Sequence, residues 1–85
     1  MSREVMPSRV DVSEVMRTAI ESAIEASTAE VRGAGGHFEI VVTSKVFADL
    51  STLERQRLVY GAIAHLMNGD AAPVHAVDRL ITKAG

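Results

Sequence analysis

The chain contains no cysteine. That absence excludes a disulfide framework, a thiolate nucleophile and any metal site built on this chain's own sulfur. A bound metal has to take His, Asp or Glu here, or the groups of a partner. Nor is there an excess of positive charge. Nine Lys and Arg stand against eleven Asp and Glu, a formal net charge of −2, and the isoelectric point is near 5.8. Such a balance argues against a protein whose affinity comes from neutralising a phosphate backbone. No apolar run approaches the length of a membrane span. The first ten residues, MSREVMPSRV, carry Arg3, Glu4 and Arg9 and lack the apolar centre of a secretory leader. The expectation is a soluble cytoplasmic protein that makes no membrane contact.

What is present suffices for one small domain. With 85 residues, 47% of them hydrophobic, the chain can bury one core and has no room for a second. Residues 1–10 read as an N-terminal extension and 11–83 as the single domain. Val12, Val15, Met16, Ala19, Ile20, Ala23 and Ile24 recur at three-and-four spacing, which predicts a helix over about 12–26 with one buried stripe. Asp11 stands at its N-cap, Glu14 where a capping box needs a carboxylate, and Val10 where it can staple onto Val15. "STAEV" reads as a short strand, GAGG as a turn and "HFEIVVTS" as a longer strand. A second capping box, Ser51 to Glu54, opens another helix whose apolar residues Leu58, Val59, Ala62, Ile63, Leu66 and Met67 share a face, and Asn68-Gly69 stops it. After Pro73, "VHAVDRLI" is a last strand and "TKAG" a frayed end.

The resulting order is αββαβ, an α+β fold. A hairpin pairs the first two strands, and a β-α-β crossover, almost always right-handed, makes the second and third parallel, giving a three-stranded mixed sheet. Parallel strands start at one end. His37 opens strand two, His75 lies one residue into strand three, and the GAGG turn occupies the same end. The second helix also finishes there, so the negative end of its dipole favours a cation over a phosphate. A phosphate cradle is excluded, because such loops run into a helix N-terminus and GAGG runs into a strand. Gly33-Ala34-Gly35-Gly36 also matches the G-x-x-G of KH nucleic-acid domains, but there the loop lies between two helices. A hairpin turn that supplies positive φ and positions His37 is the simpler reading. A histidine at a strand end can serve structure or ligation, and the residues alone leave both open.

Three stretches in order, "HFEIVVTSKVF", "LERQRLVYGAIAHL" and "PVHAV", resemble the BolA family, in particular its IbaG-like branch. The resemblance runs from about Val12 to Ile81. It implies a three-stranded sheet with helices on one face, topologically like class II KH domains. It also implies a partner, a monothiol glutaredoxin, with which a 2Fe–2S cluster is shared, glutathione completing the ligands. The family's roles in stress response and transcription regulation make a DNA-binding regulator the alternative. The family's invariant histidine matches His75, which is thereby the implied metal ligand. The second family ligand comes from the loop before strand two as Cys or His; "RGAGG" contains neither, leaving His37 as the candidate nearby. The family's Phe-x-Gly is here Phe47-Ala48-Asp49, and its Arg-His-Arg is Arg55-Gln56-Arg57. The common C-terminal Thr-x-x-x-Trp segment is missing.

The chemistry of such a site is intelligible on its own terms. Replacing thiolates by imidazole on one iron raises the reduction potential. An imidazole must be neutral to ligate, so protons compete with iron for it. Without cysteine the chain cannot hold a cluster alone, and a partner must bring the sulfur. Arg55, on the inward side of the second helix's first turn, and the outward Arg57 can meet a partner's acidic groups or, with Lys45, DNA phosphates. Tyr60 and Gly61 complete the candidate contact set, Gly61 because it permits close approach at a cost of about 1 kcal/mol relative to Ala. His65 reads as structural, Met16 and Met67 as core fillers. Ser44, Ser51 and the histidines form no nucleophile-base-orienter arrangement, so no enzyme is expected. The free protein is expected to be a monomer or a weak dimer, with any DNA binding weak.

Overall fold

The computed structural model describes residues 11–85; the N-terminal extension and the Val10 staple lie outside them. Along the chain run α1 (Val12–Ala23), β1 (Ser27–Ala34), β2 (His37–Ser44), a 3-10 turn (Lys45–Asp49), α2 (Thr52–Ile63), a second 3-10 turn (Ala64–Leu66) and β3 (Ala76–Lys83). The sheet order is β1-β2-β3, with β1 antiparallel and β3 parallel to β2. This is the α+β, αββαβ mixed sheet expected from the patterning. Met16, Ile20 and Ile24 from the first helix and its exit, and Val59 and Ile63 from α2, meet Ala29, Phe38, Ile40 and Val42 from one face of the sheet in a single core. The other face, with Glu30, Arg32, Glu39 and Arg79, is exposed. Among the described residues no helix is long and apolar enough to cross a membrane.

Several boundaries differ from expectation, each for a local reason. α1 ends at Ala23 and not near 26, because the chain must reverse into β1. Ile24 is already extended although its N–H still reaches the Ile20 carbonyl. Ala26 then takes φ 53, and the Ser27 hydroxyl donates to the Ile24 carbonyl at 2.7 Å. Ser44, nearly fully buried, clips the same corner from β2 by donating to the Glu25 carbonyl at 2.7 Å. The capping box at Asp11 does not close. Its carboxylate accepts from the Ser13 hydroxyl at 2.7 Å, while Glu14 is drawn away by Arg17 at 2.6 Å. The Ser13 hydroxyl, and secondarily amides of the first turn, hold the Asp11 carboxyl below its ordinary range, and the Arg17 guanidinium does the same for Glu14. The second box is complete: Ser51 accepts from the Glu54 amide at 3.1 Å, and Glu54 accepts from the Ser51 amide at 2.9 Å.

In α2 the core takes Val59 and Ile63, with Ala62, Leu66 and Met67 packed partly against it. Leu58 is 41% exposed and not a core residue. One residue is about 100° of helix rotation, enough to turn Leu58 off the face that Val59 occupies. The helix tightens into the 3-10 turn at Ala64, and His65 within that turn is exposed. β1 extends through Ala34, so only Gly35 and Gly36 form the turn. β3 runs over 76–83, two residues later at each end than the sequence suggested. Val74 is buried in the approach, its N–H donating to the Leu66 carbonyl at 3.1 Å, and Thr82 and Lys83 pair with Val42 and Thr43 and are not frayed.

Candidate functional site

The β1–β2 hairpin turns on two glycines with positive φ, 64° at Gly35 and 85° at Gly36. A two-residue turn of type I′ needs positive φ at both central positions, which glycine adopts without steric cost. The GAGG stretch is therefore half strand and half turn. It joins two strands, unlike the KH clamp, which joins two helices. Gly36 has a further task. Its carbonyl accepts from the amides of both His75, at 2.8 Å, and Ala76, at 3.0 Å. The parallel strand β3 is thus started from the hairpin tip. The His75 ring lies against Gly36 so closely that a Cβ there would stand 2.0 Å from the ring's Cδ2, and Gly36 is buried as a result. His75 sits just before β3 and not inside it; its backbone is tied down and its side chain is exposed.

His37 follows Gly36 directly and opens β2. Both candidate ligands are accordingly held by one residue, at one end of the sheet. The His37 Nδ1 lies 3.3 Å from the Asp78 Oδ1, with the two side chains 61% and 54% exposed. Asp78 was absent from the sequence-based candidates. It stands at an irregularity in the β2–β3 ladder: Phe38 pairs with Val77 and Glu39 with Arg79, so Asp78 is the extra residue of a bulge. The bulge lets Val77 and Leu80 both reach the core, where strict alternation would have sent one of them outward. Apolar residues three apart at Val74, Val77 and Leu80, with an acid between, were the readable signal.

Two imidazoles in a chain without thiols can fill part of a metal's coordination shell and not the whole of it. Among the described residues no group of three or more His, Asp or Glu is placed to hold a metal ion. The donor set fits a shared metal site and does not fit a closed one.

The remaining candidates separate. Arg55 is half-buried: its Nε donates to the Leu50 carbonyl at 3.1 Å and its guanidinium stands 5.7 Å from the centre of the Phe47 ring. That side chain is occupied in holding the 3-10 turn before α2. Asp49, in the place of the family glycine, has no positive φ, so no glycine conformation is required there. Arg57, Tyr60 and Gly61 lie on the exposed side of α2 with Leu53, which is 55% exposed. A Cβ added at Gly61 would meet nothing within 4 Å.

The two turn glycines make a paired test. Gly35→Ala meets no neighbour within 4 Å, so it should cost only the left-handed strain, about 1–2 kcal/mol. Gly36→Ala adds the collision with His75 and should cost clearly more while shifting the His75 ring resonances. Urea denaturation and the imidazole NMR signals check both; equal losses at the two positions would mean that the ring moves aside freely.

The family model described as BolA-like protein matches residues 4–83. BolA-like protein 1 of Homo sapiens is 36% identical over 76 residues, covering 78% of this chain and 53% of that protein. The chain thus spans about half the length of that relative. Among solved structures, a bolA protein homologue from Coxiella burnetii has TM-score 0.69 at 29% identity, covering 87% of this chain and 92% of the other. Yeast Fra2 has TM-score 0.60 at 30% identity, over 84% of this chain and 77% of its own.

Proposed function

Because the chain belongs to the BolA family, we propose that it is the cytoplasmic partner of a monothiol glutaredoxin, sharing a 2Fe–2S cluster with it and with glutathione for iron-sulfur trafficking or for iron and redox sensing. The observation that carries this reading is a pair of exposed histidines at one end of the sheet, His37 following Gly36 in the chain and His75 with its ring packed against it, in a chain with no thiol. His75 is the principal ligand and His37 the second. Imidazole ligation of one iron raises the potential of such a cluster. This chain's own part is positional: Gly36 fixes the His75 backbone through two amides and leaves the space its ring occupies, while the I′ turn fixes the start of β2. Sulfur ligands come from the partner, so binding is obligatory for the chemistry. The exposed side of α2 carrying Arg57, Tyr60 and Gly61 is the docking surface. Arg55 contributes there mainly by shaping the start of the helix.

The test is to mix the protein with cluster-loaded monothiol glutaredoxin and record visible absorption and circular dichroism. A change on addition is expected, because a histidine-ligated iron differs electronically from an all-thiolate one. Unchanged spectra would remove the reading. The docking surface has its own check. Gly61→Ala should stabilise the free protein by about 0.5–1 kcal/mol, since a glycine in an exposed helix interior costs that much. It should at the same time weaken glutaredoxin binding by filling the space a partner approaches. Stabilisation with unaltered affinity would take Gly61 out of the interface.

A further inference from the structure

The geometry points to Asp78 as a positioning residue for His37: the β3 bulge sets its carboxylate against Nδ1, so that the ring keeps its proton there and presents the bare Nε2 outward as the donor. This rests on the reading of His37 as a ligand. Two observations and one chemical constraint carry it. The bulge lies in a parallel ladder, where bulges are rare, and it falls at the end of the sheet that holds both histidines. Its extra residue is the one whose Oδ1 lies 3.3 Å from the His37 Nδ1. An ionised carboxylate can only accept, so this contact requires the hydrogen on Nδ1.

A carboxylate behind the ligating imidazole fixes tautomer and ring orientation and makes the other nitrogen a better donor. The core explains why the bulge exists, since it admits Val77 and Leu80 together. It does not explain an acid at the residue left over, because Asp is disfavoured in strands. A small or β-branched residue would serve packing equally well. The pair is exposed on both sides, so water competes with it. The effect on ligation should therefore sit at the low end of what removing such partners costs, about tenfold.

The experiment compares wild type, Asp78→Ala and Asp78→Asn. In the free protein, imidazole 15N shifts should show His37 mainly as the Nδ1–H tautomer. Asp78→Ala should return it towards the Nε2–H form that an isolated imidazole prefers. Asp78→Asn, whose amide oxygen still accepts, should lie between. In the complex with cluster-loaded glutaredoxin, Asp78→Ala should speed cluster loss about tenfold and Asp78→Asn less, with melting temperatures of the free variants unchanged. Identical His37 tautomer populations in wild type and Asp78→Ala would overturn the assignment. So would faster cluster loss matched by an equal effect of Asp78→Asn. The ligand reading itself fails separately: His37→Ala with an unaltered cluster lifetime would remove His37 from the ligand set whatever its tautomer.

Discussion

His75→Ala is expected to abolish the spectral change that the wild-type protein produces in cluster-loaded glutaredoxin, and to do so without unfolding the chain. The separation is possible because the two roles of this residue use different atoms. Its structural role belongs to the backbone, whose amide donates to the Gly36 carbonyl at 2.8 Å and survives in alanine. Its side chain is exposed, so truncation leaves no buried cavity. Far-ultraviolet circular dichroism and the urea midpoint should stay near wild type while the visible signal is lost. A retained visible change would show that this ring is not a ligand. A collapsed fold would show that its packing on Gly36 matters more than the exposure indicates.

Phe47→Ala should produce the largest loss of stability of any single truncation among the described residues. Phe47 is fully buried and is the largest such side chain. It is the one buried residue of its 3-10 turn. Truncations of this kind cost about 3–5 kcal/mol, a large part of the roughly 5–15 kcal/mol that a domain has in total. The loss also removes the ring over which the Arg55 guanidinium stands. Arg55→Ala and Phe47→Ala should therefore be non-additive, the second costing less once the first is made. Urea denaturation of the two singles and the double measures this. A Phe47→Ala cost near 1 kcal/mol would mean that the turn collapses into the hole.

Much of this fold is written locally. The three-and-four spacing of Met16, Ile20 and Ile24, the Ser51–Glu54 box and the strand formers after Gly36 each specify an element through neighbours in sequence. Where the reading failed, distant partners decide. α1 stops early because Ser44, far along the chain, claims the Glu25 carbonyl. The Asp11 box fails because Arg17 competes for Glu14. The shift of β3 follows from Val74 being buried before the strand starts, and the bulge from the core's demand for both Val77 and Leu80. Of the candidate site, the placement of His37, His75 and the glycine turn at one end of the sheet was legible. Asp78 was missed: the three-residue spacing of Val74, Val77 and Leu80 stands in the sequence, but the bulge it signals is a property of two paired strands. Nor could spacing show that Arg55 would be taken up by Leu50 and Phe47.

The two histidines reach the hairpin end of the sheet by very different routes. His37 is delivered by a two-residue turn, a local event. His75 arrives only after the crossover through α2 has closed and β3 has paired with β2. Long-range parallel pairing is entropically slow compared with hairpin closure. On the nascent or refolding chain one imidazole is therefore in place well before the other. Anything that grips both rings at once selects molecules whose last strand has docked, and by mass action adds its binding free energy to that docking.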